Sequence, residues 1–235
     1  MSPLQAATIQ TAAIRARRRY CAAAMAGVVT YIGVDAVLQR LPPHYSAIRE
    51  AESNLAVGPY GWVMNLNFLG RAVTTFAVAR AVLRTGPSSR MKTTGATLLG
   101  LGGVSSGVLA FFPTDIQAVG VPTAGITGVP SPAAGITAAT PGGIVHLVVA
   151  GTGFVGALAG IAVLTQWLRS YPPLRRTSRA ATVCAGVGAV GLVSLGLSIR
   201  FFPAVLGLAE RVALAGILGW AFSVSAGIRS LSRTR

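Results

Sequence analysis

Runs of about twenty apolar residues recur along this 235-residue chain, and their length limits what it can fold into. Lipid offers no partner to a free backbone amide or carbonyl. A segment crossing the roughly 30 Å hydrocarbon layer must therefore close its own hydrogen bonds as a helix of about 20 residues. Six segments meet that length: Tyr20 to Leu38, Trp62 to Leu83, Thr94 to Phe112, Gly143 to Trp167, Ala180 to Ile199 and Leu208 to Ile228. The expected fold is all-α, a polytopic membrane protein built as a six-transmembrane-helix bundle over residues 20–228, with a basic segment 1–19 before it and a tail 229–235 after it. The composition agrees, since only 11% of residues are charged against about a quarter in a soluble domain.

Basic residues in short connections are retained on the cytoplasmic side. Arg15 and Arg17 to Arg19 precede the first run, Arg84, Arg90 and Lys92 follow the second, Arg169, Arg175, Arg176 and Arg179 follow the fourth, and Arg229, Arg233 and Arg235 close the chain. The alternate connections hold only Arg40, Arg49, Arg200 and Arg211. Both termini are thus expected in the cytoplasm. A net charge of +15 invites a nucleic-acid reading, but that needs a basic water-facing surface on a soluble core, so nucleic acid is excluded and membrane lipids are the expected partners. An uncleaved first helix is expected in place of an export signal at Arg17-Arg18-Arg19, because the apolar stretch continues to a full span before Pro42-Pro43 with no small-residue cleavage site at the end of a short apolar core. Residues ahead of Arg15 are expected to form a short interfacial helix or a disordered lead. The stretch 113–142, rich in Gly, Pro, Thr and Ala, with similar runs at 124–127 and 134–137, reads as a flexible external loop, and long loops also serve as lids.

All five acidic residues and both histidines fall at or near the expected outer face. Helix-forming Asn67, Arg71, Thr74 and Thr75 share one face, which must turn away from lipid. Arg71 lies near the midplane, where an uncompensated charge costs about 2.5–3.5 kcal/mol; by depth, Asp35 is its expected partner. Asp35, Glu52, Ser53, Arg71, Glu210 and Arg211 are the candidate ligand-binding residues of an outward-facing polar pocket. Asp115 and His146 are candidate catalytic residues, because an imidazole titrates near neutrality and a carboxylate can orient it. His44, His146 and Asp115 lack a paired metal-ligand spacing, so no metal is expected. No dinucleotide fingerprint or phosphate loop is present, and no cofactor is implied. Gly103/Gly107 and Gly156/Gly160, at spacing four, are expected to pack helices closely within the bundle.

Tyr31-Ile-Gly-Val-Asp35, the outer connection ending in Gly58-Pro59, Phe112-Pro113-Thr114-Asp115, His146, and Leu208-Ala-Glu-Arg211 with Trp220 resemble, in that order, the domain of unknown function 998 family of six-helix bacterial membrane proteins. The resemblance runs from about Tyr20 to Ile228. It implies six helices and placement in the bacterial inner membrane, and it implies no activity. The chain departs from it in a longer connection after Asp115 and in Glu210, where relatives often carry Gln.

Three functions follow as expectations. The first is a membrane protein of unknown activity whose pocket binds a lipid headgroup or small anionic ligand. The second is a lipid hydrolase or transferase using Asp115 and His146. The third is a non-catalytic role, either a small-solute carrier or a lipid-binding scaffold, with a homo-oligomer or a partner membrane protein left open. Reporter fusions after Arg84 and after Thr123 are expected to report opposite sides of the membrane.

Overall fold

The computed structural model describes residues 2–42, 44–115, 138 and 140–231. The runs at 124–127 and 134–137 and the end of the tail lie outside the described residues. Six helices carry the fold: α1 (Pro3–Leu38), α2 (Gly61–Leu83), α3 (Arg90–Leu109), α4 (Pro141–Ser170), α5 (Arg175–Arg200) and α6 (Leu206–Ser230). Three 3-10 turns, Glu52–Ala56, Pro172–Leu174 and Pro203–Val205, precede α2, α5 and α6. No strand occurs among the described residues.

Five helices are long and apolar enough to cross a membrane, and α3 is not among them. Its first turn carries Arg90 and Lys92, and Thr93, Thr94, Thr97, Ser105 and Ser106 dilute the rest, so its hydropathy falls below that of its neighbours even though its 20 residues would extend about 30 Å. The chain is a multi-pass membrane protein by these five helices.

The expected break before Arg15 does not occur. α1 is one helix of 36 residues, because Ser2 and Gln5 form a reciprocal capping box, Pro3 occupies the first turn, and no further Gly or Pro interrupts it before Gly27.

The helices form a ring in chain order, closed by α1 against α6. α2 and α6 are half buried along their apolar windows, while α5 is 17% buried, so α2 and α6 form the centre and α5 the periphery. Small residues set the spacings. A Cβ at Gly160 would lie 2.5 Å from the Leu99 nitrogen, and one at Gly156 would lie 3.1 Å from the Leu101 side chain. Gly103 meets Thr75 and Phe76 of α2 in the same way, and Gly107 meets Ala72. Both spacing-four pairs therefore sit at internal helix contacts, as expected. α5 and α6 approach through Gly188 against Gly216 and Gly191 against Ala213. Across the ring, Trp220 Nε1 donates to Thr165 Oγ1 at 2.9 Å.

The basic ends gather at one end of the bundle. There the single lysine, Lys92, is buried at 2% exposure. Its Nζ donates to the carbonyls of Leu83 (3.2 Å), Thr85 (3.1 Å) and Gly86 (3.3 Å), capping the C-terminus of α2, where the helix dipole favours a cation.

Two glycines of α5 separate packing from open space. A Cβ at Gly191 would run into the Ala213 backbone, whereas one at Gly196 meets nothing within 4 Å. Gly191→Ala is expected to destabilise the protein by about 1–3 kcal/mol and Gly196→Ala to leave it within about 0.5 kcal/mol, as read from thermal unfolding in detergent.

Candidate functional site

The acidic end of the bundle, opposite the arginine-rich end, collects the polar side chains. Tyr31 and Asp35 stand one turn apart on α1, Arg71 sits midway along α2, and Glu210 and Arg211 open α6. The connection from α1 to α2 folds inward and places Glu52, 3% exposed, among them.

The centre is the Tyr31 hydroxyl. It donates to Glu52 Oε2 at 2.6 Å and accepts from Arg71 Nη1 at 3.2 Å. Arg71 Nε donates to Ser106 Oγ at 2.8 Å, and that hydroxyl donates in turn to the Phe68 carbonyl at 2.8 Å. The guanidinium also stacks 5.3 Å from the ring centres of both Tyr31 and Phe68, a cation–π arrangement. Asn67 Nδ2 donates to the Tyr31 carbonyl at 3.1 Å. The shared face expected for Asn67, Arg71, Thr74 and Thr75 is thus turned toward protein.

Arg71 does not pair with Asp35. Asp35 instead lies 3.6 Å from Arg211 and accepts from Gln39 one turn along α1. Depth alone could not separate the two arginines, since both reach the level of Asp35. What separates them is azimuth: α6 closes the ring against α1 on the side that Asp35 faces. Arg211 also donates to the carbonyls of Ala47 (3.0 Å) and Gly207 (3.3 Å) and to the Tyr45 hydroxyl (2.8 Å), so it anchors the α1–α2 connection to α6. Glu210 accepts from the Glu52 backbone amide at 2.7 Å.

Burial raises the Glu52 carboxyl above its ordinary value of 4.5; the neighbouring Glu210 carboxylate adds to the rise, and Arg71 opposes it. Burial also raises the Tyr45 phenol, against the pull of Arg211.

Beside this network is a cavity of about 480 Å³, within the size range of small-molecule sites. Arg71, Glu210, His146, Asp115 and Ser53 line its polar part, and Phe68, Leu109, Leu147, Phe154, Leu192 and Ile199 form apolar wall. Of the eight candidate residues, these five reach the cavity, while Asp35, Glu52 and Arg211 form the network behind it. His44 also borders the cavity. Asp115 and His146 each have a local partner. Asp115 accepts from the Thr140 amide and hydroxyl, both at 2.8 Å, at the capped start of α4. His146 Nδ1 lies 2.7 Å from the Phe112 carbonyl, which requires the proton on Nδ1 and leaves Nε2 an acceptor.

From the sequence, no site role was assigned to Tyr31, Tyr45 or Ser106. Tyr31 gave a signal, standing four residues before Asp35 on the same helical face. Ser106 and Tyr45 gave none, because their partners come from other elements.

A family model described as a protein of unknown function (DUF998) matches residues 25–227. The chain belongs to this family. No curated protein and no solved structure matches it. The DUF998 region contains every residue of the network and the cavity wall.

Because the folded-state value of Glu52 is raised, its ionisation opposes folding. The penalty is absent below the ordinary carboxylate value of 4.5 and grows as pH rises from there toward the raised value. Glu52→Gln keeps an acceptor for Tyr31 and cannot ionise. Thermal unfolding between pH 5 and pH 9 is expected to show the wild-type protein losing more stability with rising pH than the Gln variant.

Proposed function

We propose that this DUF998 protein crosses the bacterial inner membrane six times with both termini in the cytoplasm, and that its cavity binds an anionic group through Arg71. One observation carries the binding assignment. Arg71 lines the cavity, yet its partners are neutral: two hydroxyls and two ring faces. No carboxylate lies within ion-pair distance of it among the described residues. A guanidinium held at that depth with no carboxylate in direct contact favours an incoming anion, since charge within a membrane is normally paired or functional. The protonation tendency of Glu52 preserves that positive character.

The topology draws on the arginine distribution and on α3. Gly95 packs against Leu164, Leu99 against Gly160 and Gly102 against Ala157, so α3 runs antiparallel to α4 over most of its length. A polar helix flanked by α2 and α4 needs less apolar surface than one facing lipid. The hydrolase reading draws less support, because the Asp115 carboxylate and His146 Nδ1 are engaged in holding the α3–α4 corner.

The test is affinity, measured by native mass spectrometry and calorimetry on the purified protein, with phosphatidylglycerol, phosphatidylcholine and soluble glycerol phosphate as probes. Phosphatidylglycerol or glycerol phosphate is expected to bind in preference to phosphatidylcholine, and Arg71→Gln to weaken binding about tenfold or more, the scale of one charge-assisted hydrogen bond. Unchanged affinity in Arg71→Gln would sink the assignment.

A further inference from the structure

The walls of the cavity are not equally closed. α4 and α5 join at the basic end through the short turn Pro172–Leu174, where Arg169 Nη2 donates to Thr182 Oγ1 at 3.1 Å. They still touch halfway along, where a Cβ at Gly188 would lie 2.7 Å from the Leu158 side chain. Beyond that level, toward the acidic end, the cavity lies between them. Gly151 and Phe154 of α4 and Leu192, Leu195, Gly196 and Ile199 of α5 are all on its wall. Gly151 and Gly196 are exposed, and a Cβ at either would meet nothing within 4 Å. Both glycines are thus wall residues of the cavity and surface residues of the bundle. The other neighbouring pairs near this end are tied across: Ser105 of α3 meets Gly153 of α4, Gly191 of α5 meets Ala213 of α6, and Arg211 of α6 pairs with Asp35 of α1.

Building on the anion-binding reading above, we propose that the cavity opens sideways into the bilayer between the acidic-end halves of α4 and α5, and that its ligand is a membrane lipid with an anionic headgroup. The headgroup enters through this cleft to reach Arg71, while the acyl chains stay against the apolar edge formed by Phe154, Leu192 and Ile199. Three features point to this occupant. The cleft is flanked by the exposed apolar side chains Val148, Val193 and Leu197, against which an apolar chain is the natural filler. Its edge is apolar while the far wall carries Arg71, which matches the two ends of an amphiphile. A volume of about 480 Å³ suits a headgroup and the adjoining part of a chain but not an entire two-chain lipid, so the remainder must extend through an opening into the membrane.

The open space at the two glycines supplies a test that spares the fold. Gly151→Phe and Gly196→Phe place bulk in the cleft, and thermal unfolding checks that each variant stays folded. Binding of phosphatidylglycerol from phosphatidylcholine nanodiscs and binding of glycerol phosphate from solution are then measured for both variants and for Arg71→Gln. Lateral entry predicts at least a tenfold loss of phosphatidylglycerol binding in the two Phe variants, with glycerol phosphate binding kept within about threefold. Phosphatidylglycerol binding at the wild-type level in both folded Phe variants would overturn the lateral route. So would an equal loss of both probes, which would show only that the cavity had been filled. Failure of the anionic reading is seen separately, as an Arg71→Gln variant that binds both probes normally. A wild-type protein that takes up neither probe would refute both readings.

Discussion

The Tyr31 hydroxyl is the interaction on which the acidic end depends. A phenol has one proton to give and lone pairs to offer, and here the proton goes to Glu52 while Arg71 donates to the oxygen. Neither bond can be exchanged for the other, because a guanidinium has no lone pair to accept with. The buried acid and the half-buried guanidinium are consequently held one hydroxyl apart instead of in contact. In a low-dielectric interior a direct pair would neutralise both groups and close the site. The intervening phenol keeps Arg71 in place and leaves its charge available to the cavity. Through the Glu52 amide on Glu210, the same chain of contacts reaches α6, so α1, α2, α6 and the α1–α2 connection are positioned together.

The two arginines at this end show what such an arrangement changes. Arg211 is engaged by a carboxylate, a phenol and backbone carbonyls, and it fixes a connection that is also tied to α6 by the Leu208 amide on the Ile48 carbonyl at 3.0 Å. The close approach requires glycine at 207, since a Cβ there would strike the Glu50 carbonyl. Arg71 has only neutral partners and borders empty volume. Two identical side chains thus divide into an anchor and a cation that faces open volume, and the division is made by what surrounds them.

That division also marks the limit of what the sequence discloses. The helices were legible because lipid imposes a length: the expected Trp62 to Leu83 is Gly61–Leu83 in the structure, and Leu208 to Ile228 lies inside Leu206–Ser230. Thr94 to Phe112 was displaced to Arg90–Leu109, because a hydropathy criterion discards a polar first turn that Ser89 caps. The convergence of Ser53, Arg71, Asp115, His146 and Glu210 on one cavity was legible from their common depth. Depth is one coordinate, however, and pairing needs the angular one, which depends on which helix closes the ring beside which. This is why the partner of Asp35 was misassigned and why Tyr45 and Ser106 went unseen.

Lys92 illustrates the same point at the basic end. By sequence it is one more positive charge in a short connection, equivalent for sidedness to Arg84 or Arg90. In the fold it is a buried cap whose ammonium meets three convergent carbonyls and lies 5.5 Å from the Trp167 ring centre. A guanidinium presents its donors in a flat fork suited to carboxylates and phosphates, whereas an ammonium directs three donors from a single atom. Three carbonyls at the end of one helix, Leu83, Thr85 and Gly86, converge on a point and not on a plane. In a chain whose other nineteen Lys and Arg residues are all Arg, the geometry of this cap gives a physical reason for lysine at 92: this position answers to a helix terminus that lipid cannot satisfy.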